Sequence, residues 1–291
     1  MLPNFICPGA QKSATTTLYN LLRQHPDVYL SDVKELHFFD NEQKYLKGIS
    51  WYEKEFFSEV KGKKVIGDIT PIYMYLDNIP QRIYNSLGKN IKFIFMLRNP
   101  IDRAYSHYWM SYRRGYEKES FEKAIELEKD RIRIGNFGKI NFSYVERGFY
   151  SNQIKRYIKY FPKKNMKFII FEDFIKKIPK IMKEIFSFLE VDSNISINYN
   201  IRGNPAKMPK SIKLRDFIQK PPTLVKKTAK LLIQNKKLRQ KAIQAIENIN
   251  YRKFKKLDLK LETRYKLLKI YEEDIKKLEN VINKDLNLWF K

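Results

Sequence analysis

Short apolar runs alternate with amphipathic stretches over residues 1–175. Asn4 to Pro8, Lys64 to Asp68, Lys92 to Leu97 and Met166 to Phe171 are each short, apolar and partly β-branched or aromatic. That is the pattern of strands buried on both faces. Helical periodicity follows most of them: Leu18, Leu21 and Leu22 make a stripe after the first run, ended by His25-Pro26. Asn99-Pro100 opens a second helix, with Asn suited to the N-cap, Pro to the first turn, and Asp102 completing a capping-box-like pair. Phe149 to Tyr160 forms a third, stopped before Pro162. Such alternation predicts an α/β fold, a parallel sheet covered by helices. From Ile212 the strand signals stop, and Leu224 to Gln234 and Glu262 to Ile282 read as helices. No internal repeat is present. The expected organisation is one domain over 1–291, with an α/β core over 1–200 and a loop and basic helical C-terminal extension over 201–291.

Composition narrows the class. A chain of 291 residues that is 43% apolar and 14% aromatic can bury a large core, which excludes a disordered protein. No apolar run approaches the ~20 residues that cross a bilayer. Six residues precede Cys7, Pro3 and Asn4 among them, which leaves no room for a signal peptide. The single cysteine fits a reducing compartment, so the expectation is a soluble, cytoplasmic protein. Lys plus Arg is 58 against 32 acids, a net +26. Because 43 of the 58 are Lys in a chain rich in Ile and Asn, compositional bias explains part of it. Residues 201–260, however, hold 18 basic residues and 3 acids, a net of +15. That concentration suits an anionic partner.

The most informative segment is Pro8 to Thr17, between the first strand and the first helix. A turn there aims backbone N–H groups and the positive helix end at one point, and Lys12 adds a cation and Ser13, Thr15, Thr16 and Thr17 add hydroxyls. The plain alternative is a capped helix with a Ser/Thr-rich first turn. The loop is not a Walker A sequence, which needs a glycine directly before the lysine and two further residues. Arg98 closes a core strand, where open α/β sheets bind ligands. Ser106 follows eight residues later, on roughly the helix face of Asn99 and Asp102. For Arg98 the structural alternative is an ion pair with Asp102.

Pro8-Gly9-Ala10-Gln11-Lys12-Ser13-Ala14-Thr15-Thr16-Thr17-Leu18 resembles the 5′-phosphosulfate loop of sulfotransferases that use 3′-phosphoadenosine-5′-phosphosulfate (PAPS). Leu97-Arg98-Asn99-Pro100, with Arg103 and Ser106, is similar to their 3′-phosphate motif. Val33-Lys34-Glu35-Leu36-His37-Phe38-Phe39-Asp40, Gly48-Ile49-Ser50-Trp51-Tyr52, Thr70-Pro71-Ile72-Tyr73 and Arg147-Gly148-Phe149-Tyr150 resemble the heparan sulfate branch and its bacterial relatives. Asn204-Pro205-Ala206-Lys207-Met208-Pro209-Lys210-Ser211 is similar to a late cofactor-covering loop, and Asp285-Leu286-Asn287-Leu288-Trp289 to the usual ending. Two departures stand out. The loop's usual glycine is Ala14, so the backbone there is expected to avoid positive φ. A lysine that precedes the Thr-Pro pair in some glycan-modifying relatives is Ile69.

The resemblance implies a three-layer P-loop-type fold and sulfuryl transfer from PAPS to a hydroxyl or amino group, on a carbohydrate, with no metal. It assigns the nucleotide to Gln11, Lys12, Ser13, Ala14, Thr15, Thr16, Thr17, Arg98, Ser106, Lys207 and Lys210. Lys12 would stabilise the bridging oxygen as the bond to sulfur breaks. The resemblance makes Glu35 the general base and gives His37 the task of orienting substrate or carboxylate. Two residues apart, Glu35 and His37 share a face if the chain is extended. Burial beside Phe38 and Phe39 would raise the Glu35 pKa. His25 reads as a cap or surface residue, and His107 as a packing or hydrogen-bonding one. Two other classes compete. A phosphoryl-transferring P-loop enzyme would use Asp68 to hold magnesium, and a nucleic-acid-binding module would use the 201–260 segment, which carries no helix-turn-helix, zinc or RNA-reader motif. No nucleic-acid partner is expected. Lys226, Lys227, Lys230, Lys236 and Lys237 suit contact with an anionic acceptor polymer or lipid surface.

Overall fold

The computed structural model describes residues 1–200, 207–219, 221–232, 235–253 and 257–291. Five strands, β1 (Phe5–Gly9), β2 (Val28–Leu30), β3 (Val65–Ile69), β4 (Lys92–Leu97) and β5 (Met166–Ile170), pair in the order β2-β3-β1-β4-β5, every pair parallel. Four of them lie within one residue of the apolar runs that announced them. The short edge strand β2 carries too few residues to show an alternation, and no sequence signal marked it.

Both faces of the sheet are covered, and strand alternation decides which residue goes where. Ile94 and Met96 join Phe5 and Cys7 in a core closed by Leu18, Leu21 and Leu22 of helix Thr15–Leu22 and by Met182 and Ile185 of helix Ile178–Phe188. Phe93 and Phe95 point the other way, each with its ring 5.2 Å from that of Tyr157 on helix Tyr150–Ile158. The fold is therefore an α/β sandwich of the expected P-loop-like class.

The chain forms two compact units. The first comprises Met1–Ala104, Val145–Gly203 and Leu261–Lys291 and holds the sheet; the second comprises Tyr105–Tyr144 and Asn204–Lys260. Helix Pro100–Arg113 begins in the first and continues into the second. Helix Leu261–Ile282, read from sequence as part of the extension, belongs to the first unit: Asp274 accepts the Ser151 hydroxyl, and Tyr271 donates to the Val145 carbonyl at 2.8 Å. In the second unit, β6 (Lys207–Pro209) pairs antiparallel with β7 (Tyr251–Lys253), against the expectation that strands end before Ile212. A three-residue ladder whose partner lies over forty residues away leaves no periodic trace.

Two local readings are also corrected. Asn99 caps its helix, its Oδ1 accepting the Ile101 N–H at 3.0 Å, but Asp102 does not complete the box. Glu172 accepts the Asn99 N–H at 3.0 Å, and Asp102 is taken by Arg264 at 2.5 Å. His25 is not at the surface: it is buried, with Nδ1 accepting the Asp27 N–H at 3.0 Å and Nε2 2.9 Å from the Asp192 carbonyl.

Candidate functional site

The order of strands places a topological switch between β1 and β4, because the chain leaves β1 for one edge of the sheet and returns through β4 on the other side. Loops diverge from such a point and leave a crevice at the carboxyl ends of the strands. The two loops that meet there are the ones singled out by sequence. The Ala10 N–H donates to the Met96 carbonyl at 2.6 Å, and Arg98 donates to the Lys12 carbonyl at 3.1 Å. Gly9 is needed at the exit of β1, since a Cβ there would sit 2.7 Å from the Met74 Cβ.

The loop reverses through left-handed backbone at Lys12 (φ 73°) and Ala14 (φ 63°). The expectation that Ala14 avoids positive φ is therefore wrong. The turn demands that conformation at the helix cap whatever residue occupies it, and alanine adopts it at a cost of roughly 1–2 kcal/mol. No side chain caps helix Thr15–Leu22, so its first-turn N–H groups are left for a ligand or solvent. Ser13 is fully buried, and its Oγ has no hydrogen-bond partner. The Arg98 Nε is likewise buried and unpaired, and burial holds the guanidinium pKa below its ordinary value despite the nearby charges of Asp102 and Glu172. Arg98 forms no ion pair with Asp102; its guanidinium instead lies 4.5 Å from the Phe171 ring centre. Buried polar donors without partners inside a turn of N–H groups fit a phosphate-bearing ligand.

Gln11 belongs to the same loop, its Oε1 accepting from Arg147 at 2.9 Å. Arg147 is almost fully buried, with its guanidinium 4.6 Å from the Tyr75 ring centre. Thr15, Thr16 and Thr17 occupy the first turn of the helix. Ser106 lies in the second unit and is buried. Lys210 is exposed there, with its N–H on the Asn250 carbonyl at 2.5 Å; the side chains of Lys207, Lys226, Lys227, Lys230, Lys236 and Lys237 lie outside the described residues, as does Arg202. His107 is also in the second unit, fully buried with its ring 5.1 Å from that of Tyr144, as a packing residue would be.

Glu35 and His37 sit on a strap over the turn that follows β3. That turn is tied to the end of β1, the Thr70 N–H donating to the Cys7 carbonyl at 3.2 Å and the Met74 N–H to the Pro8 carbonyl at 2.7 Å. The strap is not extended: Glu35 (φ 64°) and His37 (φ 51°) are both left-handed. Their side chains nevertheless meet, with Glu35 Oε2 3.8 Å from His37 Nε2. The expected burial of Glu35 is absent. Its side chain is 39% exposed and bound by Lys34 at 2.6 Å, while Phe38 and Phe39 point into the core. Asp40, which closes the same motif but has no role expected from the sequence, holds His37 Nδ1 at 2.8 Å. Partial burial pulls the His37 pKa down, but the bond and charge of Asp40 together with Glu35 outweigh it and leave the value raised. Asp68 has both oxygens occupied by the hydroxyls of Tyr52, Thr70 and Tyr73. Among the described residues no cluster of acids, histidines and cysteines is arranged to hold a metal ion.

A family model described as "Sulfotransferase domain" matches residues 2–279. Over 209 residues the chain is 30% identical to heparan sulfate glucosamine 3-O-sulfotransferase 5 of Mus musculus, a match covering 71% of this chain and 58% of that protein. Over 139 residues it is 37% identical to the membrane-associated sulfotransferase kil1 of Dictyostelium discoideum, covering 45% and 29%. The chain thus spans less than two thirds of the length of either relative. The crystal structure of a sulfotransferase from Alicyclobacillus acidocaldarius superposes with a TM-score of 0.74 over the whole of both chains at 24% identity, which establishes the fold. With a family match spanning nearly every residue, the chain belongs to the sulfotransferase family.

Proposed function

We propose that this protein transfers the sulfuryl group of PAPS to a hydroxyl of a carbohydrate, with an amino group as the alternative nucleophile. The observation that carries the reading is the switch-point crevice, where the Lys12 loop and the Arg98 turn are bonded together and bury the unpaired Ser13 Oγ and Arg98 Nε. Similarity to a heparan sulfate 3-O-sulfotransferase supports a glycan acceptor.

Bound PAPS supplies a sulfuryl group on a phosphate leaving group. Glu35 takes the proton from the attacking hydroxyl as the new O–S bond forms, and being part-exposed it is open to an acceptor. His37, held by Asp40, orients that carboxylate or the acceptor. Lys12 stabilises charge on the departing phosphate oxygen, while the first-turn N–H groups and the hydroxyls from Ser13 to Thr17 hold the 5′-phosphate. Arg98 takes the 3′-phosphate; the sequence resemblance adds Ser106, Lys207 and Lys210 to the nucleotide. The basic 201–260 segment gathers an anionic acceptor or an anionic lipid surface, a reading supported by similarity to a membrane-associated relative. The single cysteine fits work in the cytoplasm.

The test incubates purified protein with PAPS and a panel of glycans, lipids and phenols, reading product mass and release of 3′-phosphoadenosine 5′-phosphate (PAP). PAP should raise the melting temperature without magnesium. Stabilisation by ATP with magnesium but not by PAP would favour a phosphotransferase instead.

A further inference from the structure

Residues 36–39 form no strand or helix, yet Leu36, Phe38 and Phe39 are buried. Buried backbone groups must find partners, and here side chains supply them. The Leu36 N–H donates to Thr70 Oγ1 at 3.0 Å, and the Phe38 and Phe39 N–H groups donate to the Tyr73 hydroxyl at 2.9 and 3.3 Å. Lys44 donates to the Leu36 carbonyl at 2.6 Å and Arg82 to the Phe39 carbonyl at 2.9 Å. The strap that presents Glu35 and His37 therefore hangs on two hydroxyls and two cations.

A hydroxyl can hold a backbone N–H only if its own hydrogen points elsewhere. Asp68 arranges that. Fully enclosed in β3, its carboxylate accepts Thr70 Oγ1–H at 2.6 Å, Tyr73 O–H at 3.1 Å and Tyr52 O–H at 2.8 Å. An ionised carboxylate accepts and never donates, so all three hydrogens must turn inward, leaving the lone pairs of Thr70 and Tyr73 facing the strap. Tyr52 acts on the strap a second way, its ring stacked 4.2 Å from that of Phe38. We propose that Asp68 is a positioning residue that fixes the direction of this hydroxyl network and through it the left-handed strap carrying Glu35 and His37. The inference rests on the reading that these two residues carry the chemistry.

An amide at position 68 would break the arrangement without changing its size. Its nitrogen donates, so one hydroxyl must reverse and point its hydrogen at a backbone N–H. The test compares Asp68→Asn and the milder Tyr73→Phe by hydrogen–deuterium exchange, steady-state kinetics and PAP binding. Exchange at residues 36–39 should accelerate by about 10-fold or more in both variants while β1 and β4 keep their protection. Turnover should fall by roughly 10-fold or more with PAP affinity changed much less, because the hydroxyls that the two variants disturb hold the strap, whereas the Arg98 clamp on the Lys12 carbonyl is left in place. Combining the two changes should cost less than the product of the single effects. Unchanged exchange at the strap in both variants would overturn the proposal, as would faster exchange spread evenly over the sheet. The exchange measurement needs no turnover, so a wild type that exchanges as expected but lacks sulfotransfer would sink the functional reading and leave the network standing.

Discussion

Arg98 donates a guanidinium hydrogen bond to the backbone carbonyl of Lys12 at 3.1 Å. The turn after β4 thereby clamps the turn after β1, through an atom no substitution at position 12 removes. Arg98 can thus affect a nucleotide in two ways, by contact with a phosphate and by holding the cradle. Arg98→Ala should weaken PAP by roughly 10- to 100-fold, the loss of a charge-assisted bond, and weaken adenosine 5′-phosphosulfate, which lacks the 3′-phosphate, much less. Equal losses in calorimetric titrations of both ligands would leave only the clamp.

Ala14 offers a gain rather than a loss. Glycine at φ 63° relieves the clash of Cβ with the backbone at the cost of a more flexible unfolded chain. Ala14→Gly should therefore stabilise the protein by about 0.5–1 kcal/mol and raise the melting temperature by a few degrees. PAP affinity should hold or improve. A lower melting temperature would mean that the turn relaxes to another conformation around alanine.

Glu35→Gln keeps shape but cannot take a proton, so turnover should fall by ~10²-fold or more while PAP affinity stays level. Asp40→Asn removes the main charge that raises the His37 pKa, and the His37 titration followed by NMR should shift downward. If Glu35→Gln stays active and His107→Ala does not, the base is misassigned.

Asp68 links stability to pH. Its pKa is raised to about 6 from an ordinary 3.8, first by burial, against the bonds from Thr70, Tyr52 and Tyr73 and with the nearby charge of Asp40. Cys7 and the same two tyrosines, all with raised pKa values, stay neutral over the range concerned. A folded value above the unfolded one means a contribution present below pH ~4 and lost as pH rises through about 6, worth about 3 kcal/mol in all. Denaturant titrations should show wild type losing stability relative to Asp68→Asn between pH 4 and 7. A pH-independent difference would refute the ionisation assigned to this carboxyl.

Neutralising Lys226, Lys227 and Lys230 together should leave PAP affinity intact and raise the KM for a polyanionic acceptor, with the defect shrinking as salt is added. No change in acceptor kinetics or vesicle binding at low salt would reduce the +15 of residues 201–260 to compositional bias.

Four of the five sheet strands were legible because buried parallel strands read as apolar runs, and the Lys12 loop and Arg98 because polar residues at strand ends interrupt those runs. What stayed hidden depends on contacts distant in sequence. Nothing around Asp102 says that Arg264 takes it, nor that Glu172 supplies the missing half of the cap. The departure at Ala14 was visible, but its backbone angle was not, because the turn's hydrogen bonds outweigh the residue's local preference. The left-handed strap at Glu35 and His37 leaves no local trace for the same reason: the hydroxyls that hold it, Thr70 and Tyr73, lie more than thirty residues away in sequence.

The turn that carries Arg98 is braced from the far end of the chain. The Asn99 amide donates to the Trp289 carbonyl at 3.2 Å across 190 residues, and the Trp289 indole N–H donates to Glu172, whose other oxygen holds the Asn99 N–H. A contact of that sequence separation forms only after a large loop has closed, and loop closure of this kind slows folding. The sheet can assemble from nearer neighbours first. Refolding chains should therefore form native-like strands before the turn that carries Arg98 is complete, so that PAP binding, if this turn supplies it, returns later than secondary structure and on the timescale of Trp289 docking.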